Sequence, residues 1–218
     1  MWNIIKKDFT FFAVYLVVVL AFASIMAIAV NNELKVSFVL ISGFLVILQI
    51  VGGTFINEQY EEKHKGYAFL STLPVKEKEI VAAKFCLALI TNVLYVGFLV
   101  SLFALSPSPS EEIALAQSYI LFMGIVSLAL AGLSYIGIFG IGYTKFAVIV
   151  LSFLVALGLV PMFLMKSYQD RMDVLIDQIL EFFTNLNWLI ILPAALAFYF
   201  GLMLLAVKIK NYRSLVIS

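Results

Sequence analysis

The sequence predicts an all-α polytopic membrane protein with six transmembrane helices and both termini in the cytoplasm, and three observations lead there. The 218 residues are 64% hydrophobic and only 12% charged, whereas a soluble domain is about 45–50% apolar and about 25% charged. The charges are bunched, leaving uncharged runs at 9–32, 36–57, 85–110, 113–144, 146–165 and 182–207. Each run meets the requirement of about 20 residues for crossing about 30 Å of hydrocarbon. Threading the runs alternately then puts Lys6, Lys7, Lys63, Lys65, Lys76, Lys78, Lys84, Lys145, Lys208, Lys210 and Arg213 on one side, against Lys35, Lys166 and Arg171 on the other. That asymmetry is the positive-inside bias and marks the richer side as cytoplasmic.

Around these runs the spans are set at about 9–30, 36–56, 81–105, 115–139, 146–165 and 188–207 of a single domain, residues 1–218. The first run is too long for a signal-peptide core of about 7–15 residues. Ahead of it, Trp2, Ile4, Ile5 and Phe9 around Lys6, Lys7 and Asp8 suggest a short interfacial helix on the inner surface. Ser106-Pro107-Ser108-Pro109-Ser110 breaks helix twice, because proline lacks the amide donor and restricts its predecessor, and so reads as a tight outer turn. Between spans five and six, over 171–185, Met172, Leu175, Ile176, Ile179, Phe182 and Phe183 recur at helical spacing opposite Arg171, Asp173, Asp177 and Glu181. An amphipathic outer interfacial helix is expected there. Trp188 and Tyr212 suit headgroup level.

The uncharged runs offer little chemistry. Ion-coupled carriers normally keep a charged side chain in the membrane, and no Asp, Glu, Lys, Arg or His lies in these runs. Gly132-Leu133-Ser134 has no membrane histidine to act as base, and Glu111-Glu112 has no histidine ligands beside it. His64 is the single histidine and stands among cytoplasmic charges, which favours a solvated residue over a metal ligand. Cys86 is the single cysteine and reads as a packing residue. No GxxxxGK[ST] loop is present, so hydrolysis of ATP by this chain is not expected. A formal charge of +1 gives no reason to expect nucleic acid.

Neutral polar and small residues remain. Gly124, Ser127, Ala131 and Ser134 follow 3–4–3 spacing on the fourth span and permit close helix approach, most simply within the chain. Ser42, Gln49 and Gly53 share a face of the second span. They line a pathway or a dimer seam, or else Gln49 simply hydrogen-bonds to a neighbouring helix; both readings stay open. Pro161 and Pro193 fall inside the fifth and sixth spans, where prolines kink helices.

The longest polar stretch joins spans two and three. In segment 57–80, Glu58, Glu61 and Glu62 precede Lys63 and Lys65, which suits a short helix dipole, with Glu61 and Lys65 an i,i+4 pair. Gly66 is placed to end or bend that helix. Tyr67, Phe69, Leu70 and Leu73 supply an apolar edge, and Pro74 can open the next helix.

The order of an acid-rich stretch, Lys65-Gly66, an aromatic-leucine run, Leu73-Pro74-Val75, the charged Lys76-Glu77-Lys78-Glu79, Ile80-Val81 and Lys84-Phe85 resembles the membrane subunits of type-2 ATP-binding-cassette exporters. The likeness is to small bacterial permeases such as those of peptide-toxin and bacitracin-type exporters, and the Ile4–Phe9 opening with Lys7-Asp8 fits the same pattern. This resemblance implies a permease in a bacterial plasma membrane, paired with itself or a homologous permease. It implies separate ABC ATPase subunits that carry the ATP and Mg, no cofactor being bound by this chain. It further implies that Tyr60, Glu61, Glu62, Lys63, His64, Lys65, Gly66, Tyr67, Phe69 and Leu70 form the coupling helix that seats in the ATPase. The cargo expected from the uncharged spans is apolar or amphipathic, such as a peptide. The competing expectations are a non-transporting membrane adaptor or assembly protein and a sodium-linked carrier.

Overall fold

The computed structural model describes residues 2–29, 35–64, 76–105, 110–150 and 186–217, together with 66 and 182. Regular structure among the described residues is entirely helical. The helices are α1 (Trp2–Ala29), α2 (Lys35–Lys63), α3 (Glu77–Ala104), α4 (Ser110–Ile141), α5 (described over 143–150) and α6 (Trp188–Ile217). Glu77–Ala104, Ile113–Ile141 and Trp188–Tyr212 are long and apolar enough to cross a bilayer. The 28 residues of α1 and 29 of α2 give lengths of about 42–44 Å at about 1.5 Å per residue.

Local chemistry sets the helix ends. Lys76 is extended (φ −76°, ψ 143°), and Glu77 and Glu79 occupy the first turn of α3, where carboxylates meet the positive end of the helix dipole. That helix closes where the Leu105 amide donates to the Ser101 carbonyl at 3.2 Å. Gly142, at φ 93°, takes the left-handed conformation that ends α4. Its amide donates to the Ile138 carbonyl at 2.9 Å, and its own carbonyl accepts from the Phe146 amide at 3.1 Å, so α5 follows at once. Asn187 caps α6 by accepting the Leu189 amide on Oδ1 at 3.2 Å.

Two expected boundaries move. The start of the chain is one continuous helix from Trp2 to Ala29, with no break between an interfacial turn and a span. The acid-rich stretch is the last two turns of α2, which runs unbroken to Lys63, rather than a separate helix. The physical reason is that its periodic buried face does not stop at the last apolar residue: Asn57, Glu58 and Glu61 continue the face that carries Gln49, Ile50 and Thr54. The 171–185 outer helix lies outside the described residues apart from exposed Phe182, whose ring meets Phe122 edge-on. Pro161, Pro74 and the Ser-Pro pair also lie outside them.

Helix α4 packs against α2, α3 and α6, while α1 packs on α2 and α3. Towards one end, Leu16 and Val19 of α1, Leu45 and Val46 of α2, Tyr95 and Leu99 of α3 and Tyr119 and Ile120 of α4 form one buried cluster. Towards the other, Ile50, Phe85, Tyr135, Phe139, Tyr199 and Leu202 form a second. Phe85 lies between Tyr135 and Tyr199 at ring-centroid distances of 5.3 and 5.1 Å, and the Tyr199 hydroxyl donates to the Phe85 carbonyl at 2.9 Å.

In a bilayer, lipid tails remove the hydrophobic drive for helices to associate, so small residues and hydrogen bonds must hold them. The 3–4–3 stripe on α4 has this role within the chain, since Ser127 and Ala131 are fully buried and Gly124 and Ser134 nearly so. Across from it, Asn92 of α3 donates its amide to the Gly124 carbonyl at 3.1 Å and to Ser127 Oγ at 2.5 Å. A β-carbon at Gly124 would stand 2.8 Å from Val96 Cγ2. Gly124→Leu is therefore expected to lower unfolding stability in detergent by about 1–3 kcal/mol through overpacking. Gly97→Ala is the control, because a β-carbon there meets nothing within 4 Å; it should be neutral or stabilising by up to about 1 kcal/mol.

Candidate functional site at the charged end of the bundle

The start of α1, the end of α2 and the start of α3 meet in an ionic cluster. Lys84 Nζ, fully buried, lies 2.5 Å from Glu58 Oε1 and 3.5 Å from Asp8 Oδ2. Glu58 is equally buried and Asp8 is 1% exposed. Lys7 Nζ reaches Asp8 Oδ1 at 3.3 Å and also pairs with Glu61, which is 2% exposed. The Lys7 side chain itself is 41% exposed and opens the cluster to solvent on one side. Charges this deeply enclosed persist only when paired, because taking an ion out of water costs several kcal/mol.

Further contacts tie the remaining helix ends to the same place. Lys210 of α6 meets Glu77 Oε2 of α3 at 3.1 Å and lies 4.9 Å over the Phe139 ring of α4. Thr144 of α5 donates to Glu62 Oε1 at 2.7 Å. Phe55 of α2 lies 5.9 Å from the rings of both Tyr143 and Phe146. Burial, with the Glu62 and Glu58 carboxylates adding to it, raises the Tyr143 phenol above its ordinary value of 10.0, so it stays a neutral hydroxyl.

The sequence-predicted inner residues divide into two groups here. Tyr60, Glu62, Lys63 and His64 are exposed along the last turns of α2. The His64 amide donates to the Tyr60 carbonyl at 3.0 Å and the two rings lie 4.2 Å apart. Glu61 points inward to Lys7 instead of lying along the exposed face. Gly66 is half-buried, and a β-carbon added to it would overlap the Glu61 carboxylate, so the chain passes tightly over that side chain. Lys65, Tyr67, Phe69 and Leu70 lie outside the described residues.

Ser42, Gln49 and Gly53 are all buried inside the chain's own bundle. Neither amide atom of Gln49 has a hydrogen-bond partner. Asn57, two turns further along α2, is 1% exposed and likewise has neither amide atom bonded. Cys86 is a free, half-buried thiol packed against the small cluster of Ile5, Ile80 and Ala83.

Sequence reasoning missed Asp8, Glu58 and Lys84 as partners, and missed Asn92. The signal was helical phase: Lys84 falls on the α3 face of Ile80, Val81, Leu87, Ala88 and Thr91, all buried. Among the described residues, no group of three or more His, Cys, Asp and Glu is arranged to hold a metal ion. The cluster can fix helices to one another, and the exposed turn beside it can receive a partner.

A family model described as ABC-2 family transporter protein matches residues 3–211. No curated protein matches the chain.

Removing Lys84 strands two buried carboxylates. Lys84→Ala is expected to lower unfolding stability by about 3–5 kcal/mol, the range for breaking a buried pair on one side. Denaturant titration in detergent or nanodiscs measures this, and a loss under about 1 kcal/mol would place Lys84 in the surface-pair range.

Proposed function

Because the chain belongs to the ABC-2 family of transporter proteins, we propose that it is the permease subunit of an ATP-driven exporter whose work is done by separate ATPase subunits. The family match across 3–211 carries this reading. A membrane transport subunit with an ABC ATPase partner follows from the family itself; the finer points are the reading proposed here. In it, six spans cross the plasma membrane of a bacterium, with both termini and segment 57–80 in the cytoplasm, in line with the clustering of Lys and Arg. Two such subunits, identical or homologous, enclose the cargo pathway. A further outer helix over 171–185 lies at the opposite interface.

Force enters at the inner segment. Tyr60, Glu62, Lys63 and His64 form a solvent-facing turn at the end of a stiff 29-residue helix, suited to sit in a groove of the ATPase. Lys65, Gly66, Tyr67, Phe69 and Leu70 continue that contact, and Glu61 holds the turn in place from behind. ATP and Mg bind on the partner and supply the energy of closure. The permease converts that closure into helix displacement, which opens the pathway alternately to each side. Ser42, Gln49 and Gly53 are enclosed by the chain's own helices in this arrangement, and the unbonded amide of Gln49 favours a second arrangement in which this face of α2 turns to the pathway. Spans without ionisable groups in their middle suit an apolar or amphipathic cargo such as a peptide.

Reconstitution with the ATPase encoded alongside the chain tests the reading. The native pair should hydrolyse ATP faster than the ATPase alone and accumulate cargo in inverted vesicles only with ATP and Mg. Glu62→Lys combined with His64→Asp should cut export at least about fivefold, the lower end of typical coupling energies, while the chain still inserts and folds. ATP-independent uptake by the chain alone under an ion gradient would contradict the reading.

A further inference from the structure

Five of the charges at the inner end alternate in sign along a single path. Glu58 of α2 meets Lys84 of α3, Lys84 meets Asp8 of α1, Asp8 meets Lys7, and Lys7 meets Glu61, back on α2. Glu58 and Glu61 are three residues apart and share one side of the helix, so the path closes on itself across three helices. Four of its five side chains are at most 2% exposed. In such surroundings the separation of a pair is strongly opposed, because no water replaces the lost partner. An axial slip of any one helix by a turn would break at least two of these contacts.

The position of the loop matters as much as its strength. It joins the last residues of α2 and the first of α3, the two ends that flank the inner segment. The Glu61 carboxylate lies against Gly66, a residue of that segment. Helix α1 has no connection in sequence to the segment, and packs on α2 and α3.

We propose that this closed loop of Lys7, Asp8, Glu58, Glu61 and Lys84 is a clasp that makes α1 move as one body with α2 and α3 when the inner segment is displaced. Glu58 and Lys84 are then positioning residues for transport: they touch neither cargo nor nucleotide, and act by carrying the segment's movement into α1. The inference rests on the exporter reading only for the source of the force.

The test places spin labels at Thr10→Cys and Ile56→Cys, both exposed and outside the cluster and the inner segment, in a Cys86→Ala background of the full chain. With the partner ATPase present, the distance between labels should stay within the width of one distribution on adding non-hydrolysable nucleotide. In Lys84→Met/Glu58→Met the same distance should broaden or shift, and cargo exported per ATP hydrolysed should fall at least fivefold. Lys84→Arg, which keeps the charge, should restore most of that ratio. If the double variant does not fold, the native chain still decides. A nucleotide-dependent change in the native label distance overturns the clasp, as does an unchanged distance and transport ratio in a folded double variant. If no ATPase is stimulated, the exporter reading fails separately. The clasp is then read on the chain alone, where the label distance must hold up to the temperature of global unfolding, and earlier loss overturns it.

Discussion

The Lys84 ammonium, sealed between the carboxylates of Glu58 and Asp8, is the interaction on which the charged end of this bundle depends. A lysine with no exposed surface must be matched, and the match has to come from other helices because α3 offers no acid on the same face among its buried residues. That requirement draws the end of α2 and the start of α1 to one spot. It also explains why α2 continues as a helix through Glu58 and Glu61 to Lys63, past the end of its uncharged run at Asn57. The segment between α2 and α3 consequently leaves from and returns to two helix ends already fixed to each other.

The rest of the bundle is held by gentler means. Asn92 satisfies its amide on the Gly124 carbonyl and Ser127, at a point where the absence of a side chain on Gly124 lets α3 and α4 approach. Phe85 and its two tyrosine neighbours fill the space between α3, α4 and α6. Unlike the amide of Asn92, the buried amides of Gln49 and Asn57, both on α2, are not hydrogen-bonded. A helix whose inner face carries unbonded amides gains from a second arrangement that wets them. A transport subunit requires two such arrangements.

How much of this was legible in the sequence depends on which rule the residue obeyed. Composition and charge-free runs gave the helical membrane class, and small-residue spacing gave the α4 face that Asn92 meets. The break between the fourth and fifth spans falls at Gly142, whose missing β-carbon allows the positive φ. The placement of Glu61 is not legible from hydropathy, because the hydropathy boundary at Asn57 is not a structural one. Helical phase, followed across that boundary from Ile50 through Thr54 to Glu58 and Glu61, points inward all the way. Lys84 was hidden for the same reason, sitting one residue before an uncharged run yet in register with Ile80 and Leu87. Which acid would meet which base was beyond any single-helix pattern, because the partners lie 54 and 76 residues apart in the chain.

Amide hydrogen exchange on the full chain in nanodiscs, followed by peptide, tests most directly whether the charged end is one cooperative unit. Residues 5–10, 57–63 and 78–85 should share one level of protection and should lose it together as denaturant is raised. Rapid, independent exchange of residues 5–10 while 57–63 and 78–85 remain protected would contradict that account.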